Sequence, residues 1–326
     1  MEIEYSLPEN ILTNAELGEL FPDWNYLEFE QKVGIKQRHV VSQDETALDL
    51  AEKASLKLFG KIDKEQIDFV LLCTQSPDYF LPTSACILQD RLELSKNCGA
   101  LDFNLGCSGY VYGLSLAKGL LLSNSATNIL FVVADTYSKH INPKDKINRA
   151  IFGDAAAATL INKDSFDIGQ FVLGTDGKGF KELIIKNGGS RNKITEPATE
   201  YEYSSGNITT DNNLYMNGPA VFNFTIKTIP QLVTDTLEKN NMVLDDVDFF
   251  IFHQANKYML GYLRDKIKID PAKFCIDMEN TGNTVSSTIP IALKNAYLNK
   301  KIKTGNKVML VGFGVGLSWG ATIINI

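Results

Sequence analysis

Cys107 stands in Gly106-Cys107-Ser108-Gly109, directly after the strand-forming run 100–105 and directly before a helical pattern over Tyr110–Leu122. A cysteine at the start of a helix lies near unpaired backbone N–H groups and the positive end of the helix dipole. Both favour a thiolate and lower the thiol pKa. The flanking glycines let a substrate approach the sulfur closely, so this cysteine reads as a nucleophile. Cys73, Cys86, Cys98 and Cys275 lie in or beside apolar runs and read as buried structural thiols. Of the three histidines, His39 follows Arg38 at a strand edge and His140 lies in a polar stretch, so both read as surface residues. His253 instead ends a strongly apolar run and opens His253-Gln254-Ala255-Asn256. A neutral imidazole there can donate a hydrogen bond or act as a base. Asn283, in Thr281-Gly282-Asn283-Thr284, would by itself be a turn residue.

An internal repeat is what groups these three residues. The run 68–74 recurs as 248–254. The strand 100–105 with its small-residue turn recurs as Phe274–Met278 running into Asn280-Thr281-Gly282-Asn283. The strand pair Ile129–Ala134 and Ala155–Ile161 recurs as Val308–Gly312 and Ala321–Ile326. Each pair is separated by about 180 residues, and three matches in order at one offset indicate a duplicated unit. Apolar strands alternating with helical patterns imply largely parallel sheets covered by helices, an α/β architecture. A break near residues 162–169 divides the chain into expected halves 1–165 and 166–326, and residues 175–215 read as loops and hairpins. Corresponding strand-to-helix turns meet at the axis of such a repeat, and ligands bind beyond the carboxyl ends of strands. Cys107, His253 and Asn283 are therefore expected to converge. The run Gly312-Phe313-Gly314-Val315-Gly316 lacks the Lys and Ser/Thr of a phosphate loop. It reads as a tight turn offering backbone N–H groups to an oxyanion.

Composition narrows the class. The chain has 326 residues, 44% of them hydrophobic and 22% charged, which excludes a disordered or fibrous protein. Its net charge of −7 gives no overall field for nucleic acid or anionic membrane. The acidic N-terminus lacks a signal-peptide layout. Five widely spaced cysteines without a Cys-x-x-Cys pair suggest neither a disulfide framework nor a metal site, which fits a cytoplasmic location. Residues 308–326 carry no charge, but their glycines split them into two short blocks, expected as buried strands rather than a membrane span.

Residues 104–109, His253-Gln254-Ala255-Asn256, Asn280-Thr281-Gly282-Asn283-Thr284 and 314–320 resemble, in order, the signatures of the β-ketoacyl-acyl-carrier-protein synthase III family. Gly34-Ile35-Lys36-Gln37-Arg38, Phe152-Gly153-Asp154 and Met216-Asn217-Gly218 match it as well. The resemblance implies a thiolase-like fold, two duplicated α/β halves in a five-layer αβαβα arrangement, and a homodimer. It implies that Cys107 takes the acyl group of a primer thioester, with an oxyanion held by the N–H groups of Cys107 and Val315. His253 and Asn283 would then bind the thioester carbonyl of malonyl-acyl carrier protein as it loses CO₂, giving a 3-oxoacyl thioester without any cofactor. Substrate or carrier contacts are expected from Lys32, Arg38, Arg149, Asn256, Lys257 and Leu81, the last lining the partner's acyl pocket.

The chain also departs from the family pattern. Glu28 stands where a Trp usually stacks on the adenine of coenzyme A, Trp24 is out of register, and Lys32 replaces an Arg. Lys257-Tyr258 follows the His253 motif, and Lys146 or Arg149 takes the place of an Arg at the mouth. Coenzyme A and carrier protein both stay open as the primer's carrier. Lys257, Arg264, Lys266 and Lys268 form a basic stretch suited to an acidic carrier protein or simply to solvent. Cys, His and Asn in this order also suit a papain-like hydrolase, but its signature is absent. A thiolase would need a second cysteine near the C-terminal turn, and none follows Cys275. An acyltransferase passing the Cys107 acyl group to oxygen or nitrogen, with His253 as base, is the nearer alternative. A non-catalytic carrier-binding subunit would have no use for the full Cys-His-Asn set.

Overall fold

The computed structural model describes residues 2–164, 167–204 and 206–326. In the first half, β1 (Ile3–Ser6), β2 (Ile11–Thr13), α1 (Asn14–Leu20), α2 (Tyr26–Val33) and β3 (Gln37–His39) precede the long helix α3 (Ala47–Phe59). Then come β4 (Phe69–Cys73), α4 (Ser84–Arg91), β5 (Gly99–Phe103), α5 (Gly109–Leu122), β6 (Asn128–Asp135), α6 (Lys146–Ile151) and β7 (Ala155–Asn162). The second half begins with short strands: β8 (Asp167–Ile168), β9 (Val172–Thr175), β10 (Leu183–Ile185), β11 (Tyr201–Ser204), β12 (Asn207–Thr209) and β13 (Leu214–Met216). It continues with α7 (Gly218–Lys239), β14 (Phe249–Phe252), α8 (Lys257–Ile267), α9 (Thr288–Leu298), β15 (Lys307–Gly314) and β16 (Ser318–Asn325).

Two sheets carry the duplication. The first runs β1-β7-β6-β4-β5, with β6, β4 and β5 parallel and β7 antiparallel to both of its neighbours. The second runs β14-β15-β16, with β14 and β15 parallel, β16 antiparallel, and β8 and β9 both pairing to β16. Strands buried on both faces need continuous apolar runs, and β4, β6, β14 and β15 supply them.

Helices cover both sheets and fill the space between them. Helices α3 and α4 close the outer face of the first sheet, through Leu50, Ala54, Leu58 and Leu88. Helices α7 and α8 close the outer face of the second, through Ile229, Val233, Leu260 and Leu263. Between the sheets lie α5 and α9, whose Leu114, Ala117, Ile289 and Leu293 pack against Leu71 and Phe131 on one side and Ile251 and Leu310 on the other. The result is five layers, helix, sheet, helix, sheet, helix. Each fully buried Leu, Ile or Phe in them contributes about 2 kcal/mol of apolar burial.

Several expectations are corrected here. The strand expected over Phe274–Met278 is reduced to one bridge, Phe250 to Phe274. The Gln254 side chain takes the ladder's place: Asp277 N–H donates to its Oε1 at 2.7 Å, and its Nε2 donates to Phe252 O at 2.6 Å. The helix expected from Val285 begins as a single 3₁₀ turn and becomes α-helical only at Thr288. Cys86 is exposed and Cys98 half-buried, since both sit on the outer side of the first sheet. His39 and His140 are half-buried rather than on the surface, each with a ring nitrogen beside an oxygen, of Pro8 and Ser76 respectively. Residues 308–326 form β15 and β16, and among the described residues no helix is long and apolar enough to cross a membrane. The expected boundary between 165 and 166 lies outside the described residues.

Candidate active site

Cys107 sits two residues before α5, between the end of β5 and the β15–β16 turn. It is buried because β15 runs directly beneath it. A Cβ at Gly314 would fall 2.7 Å from the Cys107 Cβ and 2.8 Å from its Sγ, so only glycine there leaves room for the sulfur. The turn is pinned to the opposite half by the Ser108 and Ser318 hydroxyls, 2.7 Å apart, and Ser318 in turn donates to Val315 O at 2.9 Å. That anchoring brings the backbone N–H groups of both Cys107 and Val315 to the sulfur.

The thiol pKa differs from the expectation of a lowered value. Burial, then the nearby Asp135 carboxylate, push Cys107 up to about 12, and the two N–H groups only partly oppose them. At rest Cys107 is therefore a neutral thiol, and attack by its sulfur would require a base.

His253 continues the parallel ladder of β14 on β15, its N–H donating to Val311 O at 2.7 Å. Its ring is buried with Phe313 edge-on at 5.7 Å. Burial holds the imidazole down to about 3, with the Val285 carbonyl opposing, so it is neutral at physiological pH. The Nδ1 atom lies 2.7 Å from the Thr288 hydroxyl, which itself donates to Val285 O at 3.1 Å. This network assigns the proton to Nδ1 and leaves Nε2 with a free lone pair.

Asn283 is placed by the other half of the chain. Its N–H donates to Ile151 O at 2.9 Å and its carbonyl accepts from Gly153 N at 3.1 Å, so the turn is stitched to the end of α6. Its Oδ1 accepts the Val285 N–H at 2.9 Å, which leaves the side-chain NH₂ as a donor. Val285 has φ +54°, a left-handed conformation costly for a β-branched residue. That conformation lets one peptide segment serve Asn283 through its N–H and His253 through its carbonyl.

Cys107, His253 and Asn283 line a single cavity of about 340 Å³, apolar along Ile151, Phe152 and Met216. Its mouth lies at Lys32 and Tyr258. The Lys32 ammonium sits 5.5 Å from the Tyr258 ring centroid, and Tyr258 stacks on Phe222 at 5.7 Å. Asn256 also lines the cavity, with its side chain capping α8 through Met259 N at 2.8 Å.

Other expected contacts lie elsewhere. Arg38 is fully buried, and its guanidinium donates to Leu12 O, Asn14 Oδ1 and Ala150 O. It ties β2, α1 and α6 together and faces no substrate, which corrects the expected contact. Lys257 borders a neighbouring groove with Glu30 and Glu279 rather than the cavity. Arg149 donates to Pro143 O and lines a separate cavity of about 240 Å³ that shares Phe152 with the first. Leu81 is 82% exposed, beside Phe80 and Tyr79, and does not line the cavity of its own chain. Glu28 is exposed on α2, and Trp24 packs on Phe29 at 5.0 Å instead of presenting its face. The basic stretch is partly neutralised: Arg264 pairs with Asp265 at 2.7 Å and Lys266 donates to Ile226 O at 2.7 Å.

Sequence reasoning missed Asp135, Thr288 and the Gln75–Tyr137 pair. Asp135 had a signal, a carboxylate ending an otherwise apolar strand. It is fully buried and accepts from Gln75 N at 2.8 Å and from the Ser286 hydroxyl, joining the two halves behind Cys107. Thr288 had none, because it reads as one more residue in an apolar helix.

The family model for 3-oxoacyl-[acyl-carrier-protein (ACP)] synthase III matches residues 101–177, and the model for that family's C-terminal part matches 237–326. The chain is 34% identical over 326 residues to the β-ketoacyl-[acyl-carrier-protein] synthase III of Clostridium perfringens, covering 98% of this chain and 96% of that one. With the enzyme of the same name from Clostridioides difficile it shares 36% identity over 296 residues, covering 90% and 88%. A crystal structure of a 3-oxoacyl-(acyl-carrier-protein) synthase III superposes with a TM-score of 0.97 at 47% identity, covering 99% of this chain and 98% of that one. The five layers are thus those of a thiolase-like fold, and the chain belongs to the β-ketoacyl-[acyl-carrier-protein] synthase III family.

Proposed function

We propose that this protein is a decarboxylating condensing enzyme that extends a Cys107-bound acyl group with malonyl-acyl carrier protein. One observation carries the reading: a thiol, an imidazole with a free Nε2 and an amide NH₂ line one apolar cavity, with two backbone N–H groups at the sulfur. In the first step Cys107 Sγ bonds to the primer's carbonyl carbon and the primer's own C–S bond breaks. His253 Nε2 takes the thiol proton and passes it to the leaving thiolate. The N–H groups of Cys107 and Val315 hold the oxyanion.

In the second step the malonyl C–COO⁻ bond breaks, CO₂ leaves, and the electron pair forms an enolate on the thioester. The Asn283 NH₂ donates to that oxygen. His253 can join it as a donor after its Nδ1 proton has exchanged with solvent for one on Nε2, a tautomer the Thr288 hydroxyl accommodates by turning to donate to Nδ1. The enolate carbon bonds to the acyl carbonyl carbon and the C–S bond to Cys107 breaks; the thiolate so released carries the negative charge of the lost carboxylate and takes one proton from solvent. Malonyl-acyl carrier protein, the acyl-coenzyme A or acyl-carrier primer, and a cytoplasmic setting belong to this reading, and the chain needs no cofactor for it.

A homodimer belongs to it as well. Tyr79, Phe80 and Leu81 form an exposed apolar loop near the unpaired edge strand β5, whose Leu101 is also exposed. A second copy covering this edge would remove a large apolar patch from water; analytical ultracentrifugation tests it, and a monomer at micromolar concentration would refute it.

Intact-protein mass spectrometry after exposure to acyl-coenzyme A and acyl-carrier thioesters, with Cys107→Ala as control, tests the nucleophile. Release of one CO₂ per product tests the condensation. An adduct with transfer to an amine or alcohol and no CO₂ would instead support simple acyl transfer, and the absence of any adduct would defeat both.

A further inference from the structure

Asn283 is held in the cavity by a helix of only six residues. Its N–H donates to Ile151 O at 2.9 Å, at the last residue of α6, and its carbonyl accepts from Gly153 N at 3.1 Å. A helix this short makes too few internal hydrogen bonds to hold its own shape in water. Its contacts with the rest of the chain therefore decide where its end lies.

Two contacts pin it. Arg38 donates to Ala150 O near the end of α6. The other lies at the start, where Asp145 precedes the helix and is fully buried. Its Oδ1 accepts the Asn148 N–H at 3.0 Å, and its Oδ2 accepts the Asn148 NH₂ at 2.8 Å and the Tyr203 hydroxyl at 2.7 Å. The Asn148 bonds lie within the turn itself, whereas Tyr203 stands 58 residues further along the chain, on β11. The hairpin β11–β12 also supplies Asn207, whose Oδ1 accepts the Ile147 N–H at 3.3 Å. The Tyr203 ring is itself steadied edge-on against Tyr215 of β13 at 5.4 Å. A buried carboxylate depends on its donors. Without the Tyr203 hydroxyl, α6 would be free to pivot about its Arg38 contact and carry the Ile151 carbonyl with it.

We propose that Tyr203 is a positioning residue for the condensation step: its bond to Asp145 sets the tilt of α6, and the Ile151 carbonyl passes that setting to Asn283. Tyr203 does not line the cavity that holds Cys107, so it acts through the helix. This rests on the condensing-enzyme reading, in which Asn283 serves the enolate and takes no part in acylation.

The two steps are measured apart. The acyl-coenzyme A donor, from acetyl to octanoyl, that labels wild-type Cys107 fastest supplies the primer, and intact mass gives the rate of adduct formation. Malonyl-acyl carrier protein added to the acylated enzyme gives the rate of CO₂ release. Tyr203→Phe keeps the ring and removes the donor. It is expected to slow CO₂ release about tenfold and to leave adduct formation within about twofold of the wild type. In an Asn283→Ala background the same substitution should cost less than about twofold, because the group it positions is gone. A full tenfold loss in that background, an equal loss in both steps, or no loss at all overturns the proposal. Should Tyr203→Phe fail to fold, Asp145→Asn weakens the same bond and keeps the shape. It is expected to slow CO₂ release about threefold with adduct formation unchanged, and equal rates or equal losses in the two steps overturn the proposal there too. A wild type that forms no adduct or releases no CO₂ would instead defeat the underlying reading.

Discussion

The backbone N–H of Val285 donates to Asn283 Oδ1 at 2.9 Å, from a left-handed conformation at φ +54°. This one bond occupies the amide oxygen of Asn283 and leaves its NH₂ as a donor in the cavity. Asn283→Ala is expected to slow condensation by about 10²- to 10³-fold, the usual loss when one preorganised donor to a developing oxyanion is removed. The Cys107 acyl adduct should still form at close to the wild-type rate. Separate single-turnover measurements of acylation and CO₂ release check this, and an equal loss in both would show that Asn283 only supports the fold.

Thr288 holds His253 Nδ1 at 2.7 Å and can act as acceptor or donor. Thr288→Val keeps the shape and removes that choice, leaving a buried ring nitrogen dependent on the Val285 carbonyl alone. A loss of about 1–2 kcal/mol of transition-state stabilisation, roughly tenfold in kcat, is expected. Thr288→Ser should restore most of it, and a serine variant no better than valine would count against the role.

Gly314 lies against Cys107, where an added Cβ would sit 2.8 Å from the sulfur. Gly314→Ala should lower the acylation rate at least about 100-fold by displacing the sulfur from its two N–H groups. Circular dichroism should show intact secondary structure, and an active alanine variant would mean that β15 shifts freely.

Burial raises Asp135 to about 7, while Ser286 and Gln75 oppose the shift as donors. Its folded pKa lies above the unfolded value, so the folded protein holds the extra proton between about pH 4 and 7, and stability falls as pH rises through that window. Asp135→Asn should flatten that slope in denaturant titrations. It should also lower the Cys107 pKa, because the carboxylate helps to raise it. Faster iodoacetamide alkylation of Cys107 at pH 8 is the readout, and unchanged alkylation would remove Asp135 from the thiol's surroundings.

His253 has the opposite sign. Burial lowers its folded pKa to about 3, so the unfolded chain binds the extra proton between about pH 6.5 and 3. Its contribution is complete above pH 6.5 and is lost as the pH falls, by up to about 5 kcal/mol at pH 3. His253→Gln should lose less stability between pH 6.5 and 4 than the wild type, as followed by melting temperature.

The duplicated α/β architecture and the convergence of Cys107, His253 and Asn283 on one cavity were legible in the sequence. Apolar runs at one repeated offset left few ways to bury their strands, and a glycine-flanked cysteine between a strand and a helix has few structural uses. Even so, Phe274–Met278 has the composition of a strand and pairs at only one residue, because the Gln254 side chain captures its backbone groups. Arg38, expected to contact substrate or carrier, is buried among three oxygens from segments far apart in sequence. Cys107 carries every local mark of a low pKa, yet burial and Asp135 reverse it, and neither acts within its own segment. Local pattern reports propensity and periodicity, whereas desolvation, through-space charge and side-chain pairing across the two halves exist only once the chain has folded.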